Sequence, residues 1–257
     1  MINALAIAGW VFNKKEWLIE AEKIYSFLYK NLIINNELYH SWKDSKNKTF
    51  ATLDDYGNFM RCSITLFEKT NEKKYFNNAI DFSKKIIKEF KDKESGGFYI
   101  NSNKTKDIFT KLKSIYDSAI PSGISVTIAS LAKLYYLTGD TTYYDEANFG
   151  LKSVSGNIEK NFFSTASLIN SNNILQNGTH IIFIKINNDD SILNKIKQLY
   201  LPNIIYQEIE NSKELPKNHP AFGKKSINNK NTFYICQNQK CSLPITEFND
   251  FIKALKI

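Results

Sequence analysis

A short segment recurs three times in this chain, and few folds accommodate such a recurrence. It reads TNEKKYFNNA from Thr70 and TGDTTYYDEA from Thr138, with a looser copy, FNKKEWLIEA, from Phe12. In each copy a polar turn precedes two bulky apolar residues and then an alanine. The anchors are Trp17/Leu18/Ala21, Tyr75/Phe76/Ala79 and Tyr143/Tyr144/Ala147. Apolar residues then continue at helical spacing: Ile24, Tyr25, Leu28 and Leu32 in the first copy, Ile80, Ile86, Ile87 and Phe90 in the second. This spacing predicts amphipathic helices facing a core. A second apolar helix precedes each copy, around Ala4 to Val11, Tyr56 to Phe67 and Val126 to Leu137. Turns of a few residues make the partners antiparallel αα-hairpins. Three hairpins at a period of roughly sixty residues predict a solenoid or an α/α toroid.

After Asn177 the pattern changes. HIIFIKI, NIIYQEI and NTFYICQ read as strands, residues 191–201 and 245–255 as short helices, and residues 211–231 as a polar loop. The expected architecture is mainly α: hairpins over residues 1–177, truncated at the N-terminus, and a small α/β subdomain over residues 178–257.

Composition excludes several partners. The formal charge is +8, yet Arg61 is the sole arginine and the lysines are scattered among Asp, Glu and Asn. A nucleic-acid surface relies on arginine for bidentate contacts, so these lysines read as a solvated face and no nucleic-acid partner is expected. No apolar stretch reaches the ~20 residues of a membrane helix, and the first residues lack a basic region and a cleavage site. The cysteine count of 3 argues against a disulfide framework and fits a reducing compartment, so a cytoplasmic protein is expected. Cys236 and Cys241 are spaced more widely than a CxxC redox motif and read as a structural strand-turn pair. No Gly-rich phosphate loop, serine elbow or zinc motif is present, and no cofactor is indicated.

Several strings, taken in order, resemble one family. They are LDDYG at 53–57, ESGGFY at 94–99, IYDSAIPSG at 115–123, LTGD at 137–140 and ICQNQKCSLP at 235–244. This set is similar to the thioredoxin-domain-containing proteins that include spermatogenesis-associated protein 20. The resemblance implies a partial (α/α)6 toroid of the six-hairpin glycosidase and N-acylglucosamine 2-epimerase kind. It also implies that Met1 falls within an internal helix of the family, whose thioredoxin-like domain lies upstream. One departure is Ile124, where the family's PSG is usually followed by Asn.

Within a toroid, Asp54 and Ser122 occupy equivalent positions in successive repeats and should open inner helices at one end. Asp55, Tyr56, Tyr116 and Asp117 lie beside them. Gly96 and Gly97 permit a turn that presents Phe98 and Tyr99, and Trp42 is a further rim aromatic. Carboxyls beside exposed rings suit a sugar or polyol, with Asp54, Asp55 and Asp117 as candidate acids and bases. Tyr56, Phe98, Tyr99, Tyr116, Trp42 and Ser122 are the candidate contacts. The same residues also fit structural roles: Asp54 and Ser122 as helix N-caps, Asp117 as a turn cap, Tyr56 and Tyr116 as core. His40 could line the rim, although a lone loop histidine is usually solvated. Two functions compete with a carbohydrate site. One is a non-catalytic half that pairs with a separately encoded N-terminal part through Ala4, Leu5, Ile7 and Trp10. The other is an inactive remnant.

Overall fold

The computed structural model describes residues 1–44, 46–47, 49–106, 108–158, 161–199, 201 and 203–255. Helices α1 (Ile2–Val11) and α2 (Lys15–Leu32) form the first hairpin. Two small ribbons follow, β1 (Ile33–Ile34) with β2 (Glu37–Leu38) and β3 (Trp42–Lys43) with β4 (Lys46–Asn47). Helices α3 (Leu53–Thr70) and α4 (Lys73–Glu89) form the second hairpin, α5 (Gly123–Thr138) and α6 (Thr141–Ile158) the third, and α7 (Ala166–Asn177) follows.

The repeated turn is the device that makes each hairpin. Asn71 closes α3 and Gly139 closes α5, both in the left-handed conformation, and Asn13 adopts it between α1 and α2. Asparagine and glycine tolerate that region best. The alanine of each copy (Ala21, Ala79, Ala147) has no exposed surface, which lets the outer helix lie close on its partner.

Helices α1, α3, α5 and α7 form an inner row and run in one direction. Asn3 meets Arg61 and Thr65 while Trp10 meets Lys69. A Cβ on Gly123 would stand 2.8 Å from Asp54 Cγ, and one on Gly57 would stand 2.9 Å from Thr127 Oγ1. The Ser171 hydroxyl donates to Ser125 O, and the Tyr136 hydroxyl to Leu175 O. Helices α2, α4 and α6 form the outer row, linked by Tyr75 to Glu22, Asn78 to Tyr25 and Ser83 to Tyr143 hydrogen bonds. The result is mainly α, an inner and an outer row of paired helices with a small strand region at the C-terminal end.

That region is built from β5 (Thr179–Ile184), α8 (Ser191–Lys197), β6 (Ile204–Ile209), β7 (Thr232–Gln237), β8 (Lys240–Cys241) and α9 (Phe248–Leu255). The sheet order is β6-β5-β7-β8, with β5 parallel to β6 and antiparallel to β7. The expected helix over 191–201 ends at Lys197, and Tyr200 lies outside the described residues. The cysteine count argues against a disulfide framework, yet Cys236 and Cys241 are disulfide-bonded. They are direct partners in the β7–β8 ladder, with Cα atoms 3.9 Å apart. The expected polar loop at 211–231 contributes buried His219 and Ala221.

The sheet abuts the C-terminal ends of the inner helices. The Glu68 side chain, 3% exposed, accepts from Lys133 Nζ at 3.0 Å and from Tyr206 N at 3.1 Å. One carboxylate thus joins α3, α5 and β6. Trp10 packs against the Tyr206 ring at 5.4 Å. Asn218 donates to Gly139 O, and His219 Nε2 lies 3.0 Å from Tyr136 O and 3.1 Å from His180 Nδ1. Ala221 N–H donates to His219 Nδ1, so His219 carries its proton on Nε2.

Two outcomes are expected. Glu68→Ala leaves the Lys133 ammonium and the Tyr206 amide without their shared acceptor, and should cost about 3 kcal/mol in a urea unfolding series. Burial pushes His219 down to about 4 from 6.5, and burial with the neighbouring His219 places His180 well below its ordinary value. Both stay neutral when folded, so between those pH values the unfolded chain binds more protons. Stability should therefore fall as pH drops from 6.5 to 4, by on the order of 3 kcal/mol from His219 alone. Urea midpoints across that window measure it, and His219→Gln should flatten the slope.

Candidate functional site

Four parallel inner helices bring four N-terminal ends to one side of the molecule, away from the sheet. Each end carries unpaired amides and partial positive charge, and this is where the carboxylates gather. Asp54 and Asp55 lie in the first turn of α3. Asp117 sits between two helix starts: its Oδ1 accepts from Ser122 N at 3.0 Å and its Oδ2 from Ser167 N at 2.8 Å. Both Asp117 oxygens are thereby engaged at the entries to α5 and α7.

Asp55 is engaged in a different way. It forms a reciprocal capping box with Thr52, accepting from Thr52 N at 2.8 Å and Thr52 Oγ1 at 3.1 Å. Thr52, not Asp54, is therefore the N-cap of α3. The β-branched hydroxyl precedes the first helical residue, and the acid that answers it stands three positions on. Asp55 also meets His40 Nδ1, at 2.9 and 3.1 Å from its two oxygens. The Asp55 hydrogen bond and charge hold His40 above its ordinary pKa, and the Asp54 charge adds to this. His40, read from sequence as a solvated loop residue, stays exposed, but its ring is paired with Asp55 and lines the cavity that also holds Asp54. The return of the chain through β2 and Ala51, whose N–H donates to Leu38 O, creates that contact.

Asp54 is different again. Its carboxylate lies against the first residue of α5 at Gly123 and has no hydrogen-bond partner among the described residues. It faces a cavity of about 470 Å³ shared with His40, Asp55, Thr52 and Asn58. The remaining walls are apolar: Ile2, Leu28, Leu32, Phe59, Cys62 and Ile120.

The other expected contacts sit elsewhere. Ser122 is the N-cap of α5, its hydroxyl accepting from Ser125 N. Tyr56 is 3% exposed and its hydroxyl accepts from Leu38 N. Phe98, expected to present its ring, is 1% exposed. Gly96 and Gly97 do bend the chain, with φ of 81° and 75°, and the bend turns Phe98 into the core beside Gly150. Tyr99 is half-buried under Lys111 and Lys113. Trp42 packs edge-on against Phe27, and Tyr116 is exposed. None of these six lines the cavity that holds Asp54. Among the described residues, no group of three or more His, Cys, Asp or Glu side chains is placed to hold a metal ion.

A second cavity, of about 320 Å³, lies on the concave face where all four inner helices contribute. It contains Arg61 and Lys133 together with Asn3, Ser130, Ser167 and Asn170. Its lining comes from four separate helices, so no local string in the sequence marks it.

Comparison with known proteins agrees with the family resemblance. Spermatogenesis-associated protein 20 of Rattus norvegicus is 23% identical over 273 residues, covering 99% of this chain and 35% of that protein. The chain is a homologue of spermatogenesis-associated protein 20. The human protein of the same name is 24% identical over 211 residues, covering 79% of this chain and 27% of its own length. An uncharacterised protein of Caenorhabditis elegans is 22% identical over 261 residues, covering 95% and 35%. The chain spans about a third of the length of these curated relatives. No protein-family model matches it. Two solved structures resemble part of it, each with a TM-score of 0.45. One is a glycoside hydrolase family 76 mannosidase of Bacteroides thetaiotaomicron, at 19% identity over 57% of this chain and 40% of that one. The other is a cellobiose 2-epimerase of Spirochaeta thermophila, at 14% identity over 61% and 43%. Among the described residues, no helix is long and apolar enough to cross a membrane.

The Asp55–His40 contact makes a direct prediction. Asp55→Asn removes the charge that raises the His40 pKa, so that pKa should move down toward 6.5 in an NMR titration. The same change keeps an acceptor for Thr52 N, so stability should fall by no more than about 1 kcal/mol.

Proposed function

We propose that the cavity at the N-terminal end of the inner helices binds a carbohydrate or similar polyol and performs acid–base chemistry on it. The observation that carries this reading is the unpartnered Asp54 carboxylate facing that cavity beside the His40–Asp55 pair. A carboxylate spared by its own helix is available to a substrate hydroxyl or proton. His40, whose pKa Asp55 raises, is the complementary acid in its protonated form. Phe59, Leu28, Leu32 and Ile120 offer apolar surface for the C–H face of a pyranose, while Asn58 and Thr52 add polar contacts. In this reading Asp55 positions His40, and Asp117 holds the starts of α5 and α7 in register.

The test is a binding screen by calorimetry with neutral mono- and disaccharides, followed by Asp54→Asn. Binding should weaken at least tenfold in the variant, with the thermal midpoint unchanged or raised. Binding that survives the substitution would remove Asp54 from the site, and no saccharide binding at millimolar concentration would remove the reading.

A second reading is a non-catalytic part of a larger assembly. It is favoured by α1, which carries no charged residue yet leaves Ala4 and Ile7 exposed. Trp10, also expected on that surface, packs instead on Tyr206. Concentration-dependent sedimentation of the chain, alone and with Ile7→Glu, separates the two: self-association lost in the variant favours the second.

A further inference from the structure

We propose that the concave cavity around Arg61 binds the anionic group, phosphate or carboxylate, of a small polyhydroxylated ligand. This deepens the reading above by naming the class of substrate, and it rests on that reading only for the neutral part of the ligand.

The charge census supports an anion. The residues lining this cavity include Arg61 and Lys133 and not one Asp or Glu. Lys133 is matched by Glu68, which sits behind it at 3.0 Å and faces the sheet through Tyr206 N. Asp117, bonded to Ser167 of the lining, has both oxygens engaged by the Ser122 and Ser167 amides. Arg61 has no ion pair among the described residues. The charge left over in the cavity is therefore that of the guanidinium.

The donor geometry supports the same occupant. With its carboxamide oriented so that oxygen meets donors and nitrogen an acceptor, Asn3 accepts from Arg61 Nε and from Arg61 Nη2, the latter at 3.0 Å, and donates to Thr65 Oγ1 at 3.2 Å. Asn3 fixes the plane of the guanidinium and uses two of its five N–H groups, leaving three for a ligand. Ser130, 1% exposed, lines the same cavity, and its hydroxyl has no hydrogen-bond partner. A buried hydroxyl left unpaired costs free energy that a bound acceptor would recover. Arginine held in plane, an orphan hydroxyl and the Asn170 amide make a donor set without a competing carboxylate. The volume, about 320 Å³, suits an anionic group with part of a sugar ring. The position suits it too, since successive residues Arg61 and Cys62 of α3 line the two cavities.

Calorimetry with four probes tests this: inorganic phosphate, glucose 6-phosphate, glucuronate and glucose. At least one of the three anionic probes should bind, more weakly as salt is raised. Arg61→Gln should weaken that binding at least tenfold and leave glucose binding unchanged. Ser130→Ala, which removes only the orphan hydroxyl, should weaken it severalfold without lowering the thermal midpoint. A preference for glucose 6-phosphate over glucuronate would assign phosphate as the anion, and the reverse would assign carboxylate. Absence of all anion binding at millimolar concentration, or anion binding insensitive to Arg61→Gln in a folded variant, would overturn the proposal. Arg61-dependent phosphate binding without glucose binding would uphold it while sinking the neutral-polyol reading.

Discussion

A single buried carboxylate holds the two parts of this molecule in register. Glu68 receives Lys133 from the neighbouring inner helix and the Tyr206 amide from the sheet. A charge removed from water is stable only if its partners are in place, so α3, α5 and β6 are fixed together at that point. The contacts of Trp10 with Tyr206 and of His219 with Tyr136 extend the same seam. With the C-terminal ends of the inner helices committed to the sheet, the opposite ends are left to face solvent and ligand.

That opposite end has a shared electrostatic character. Parallel helices present like ends, and positive N-termini attract acids. Two of the three acids there are used up by the backbone. Asp55 completes the cap of α3, and Asp117 joins the starts of α5 and α7. Asp54 is left over because Gly123 admits α5 so closely that the carboxylate lies beside the helix start without bonding to it. The candidate chemistry thus arises from a packing constraint, not from a dedicated loop.

Much of the architecture is legible in the sequence because it depends on local rules. The alanines of the repeated turn lie fully buried, and the left-handed Asn71 and Gly139 stand where the polar turns predict them. The tail's succession of strands and helices along the chain follows from short apolar runs, whereas the order of strands in the sheet does not. The site is less legible, since it depends on where distant segments meet. Nothing near His40 in sequence announces Asp55, and the family-like GGFY string does not reveal that Phe98 turns inward. The capping pair at Thr52 and Asp55 was hidden behind the adjacent Asp54, which has the right chemistry two positions too late. Arg61 looks like surface until α1 and α7 close around it. The disulfide escaped because a cysteine count carries no register, whereas Cys236 and Cys241 are ladder partners.

Among the three acids at the helix starts, Asp54 is the one whose carboxylate is free. Timed carbodiimide labelling with peptide mapping by mass spectrometry measures it directly. The account predicts that Asp54 is modified several times faster than Asp55 or Asp117, whose oxygens are held by Thr52 and His40 or by the Ser122 and Ser167 amides. Labelling of Asp55 or Asp117 at a rate equal to or above that of Asp54 would contradict it.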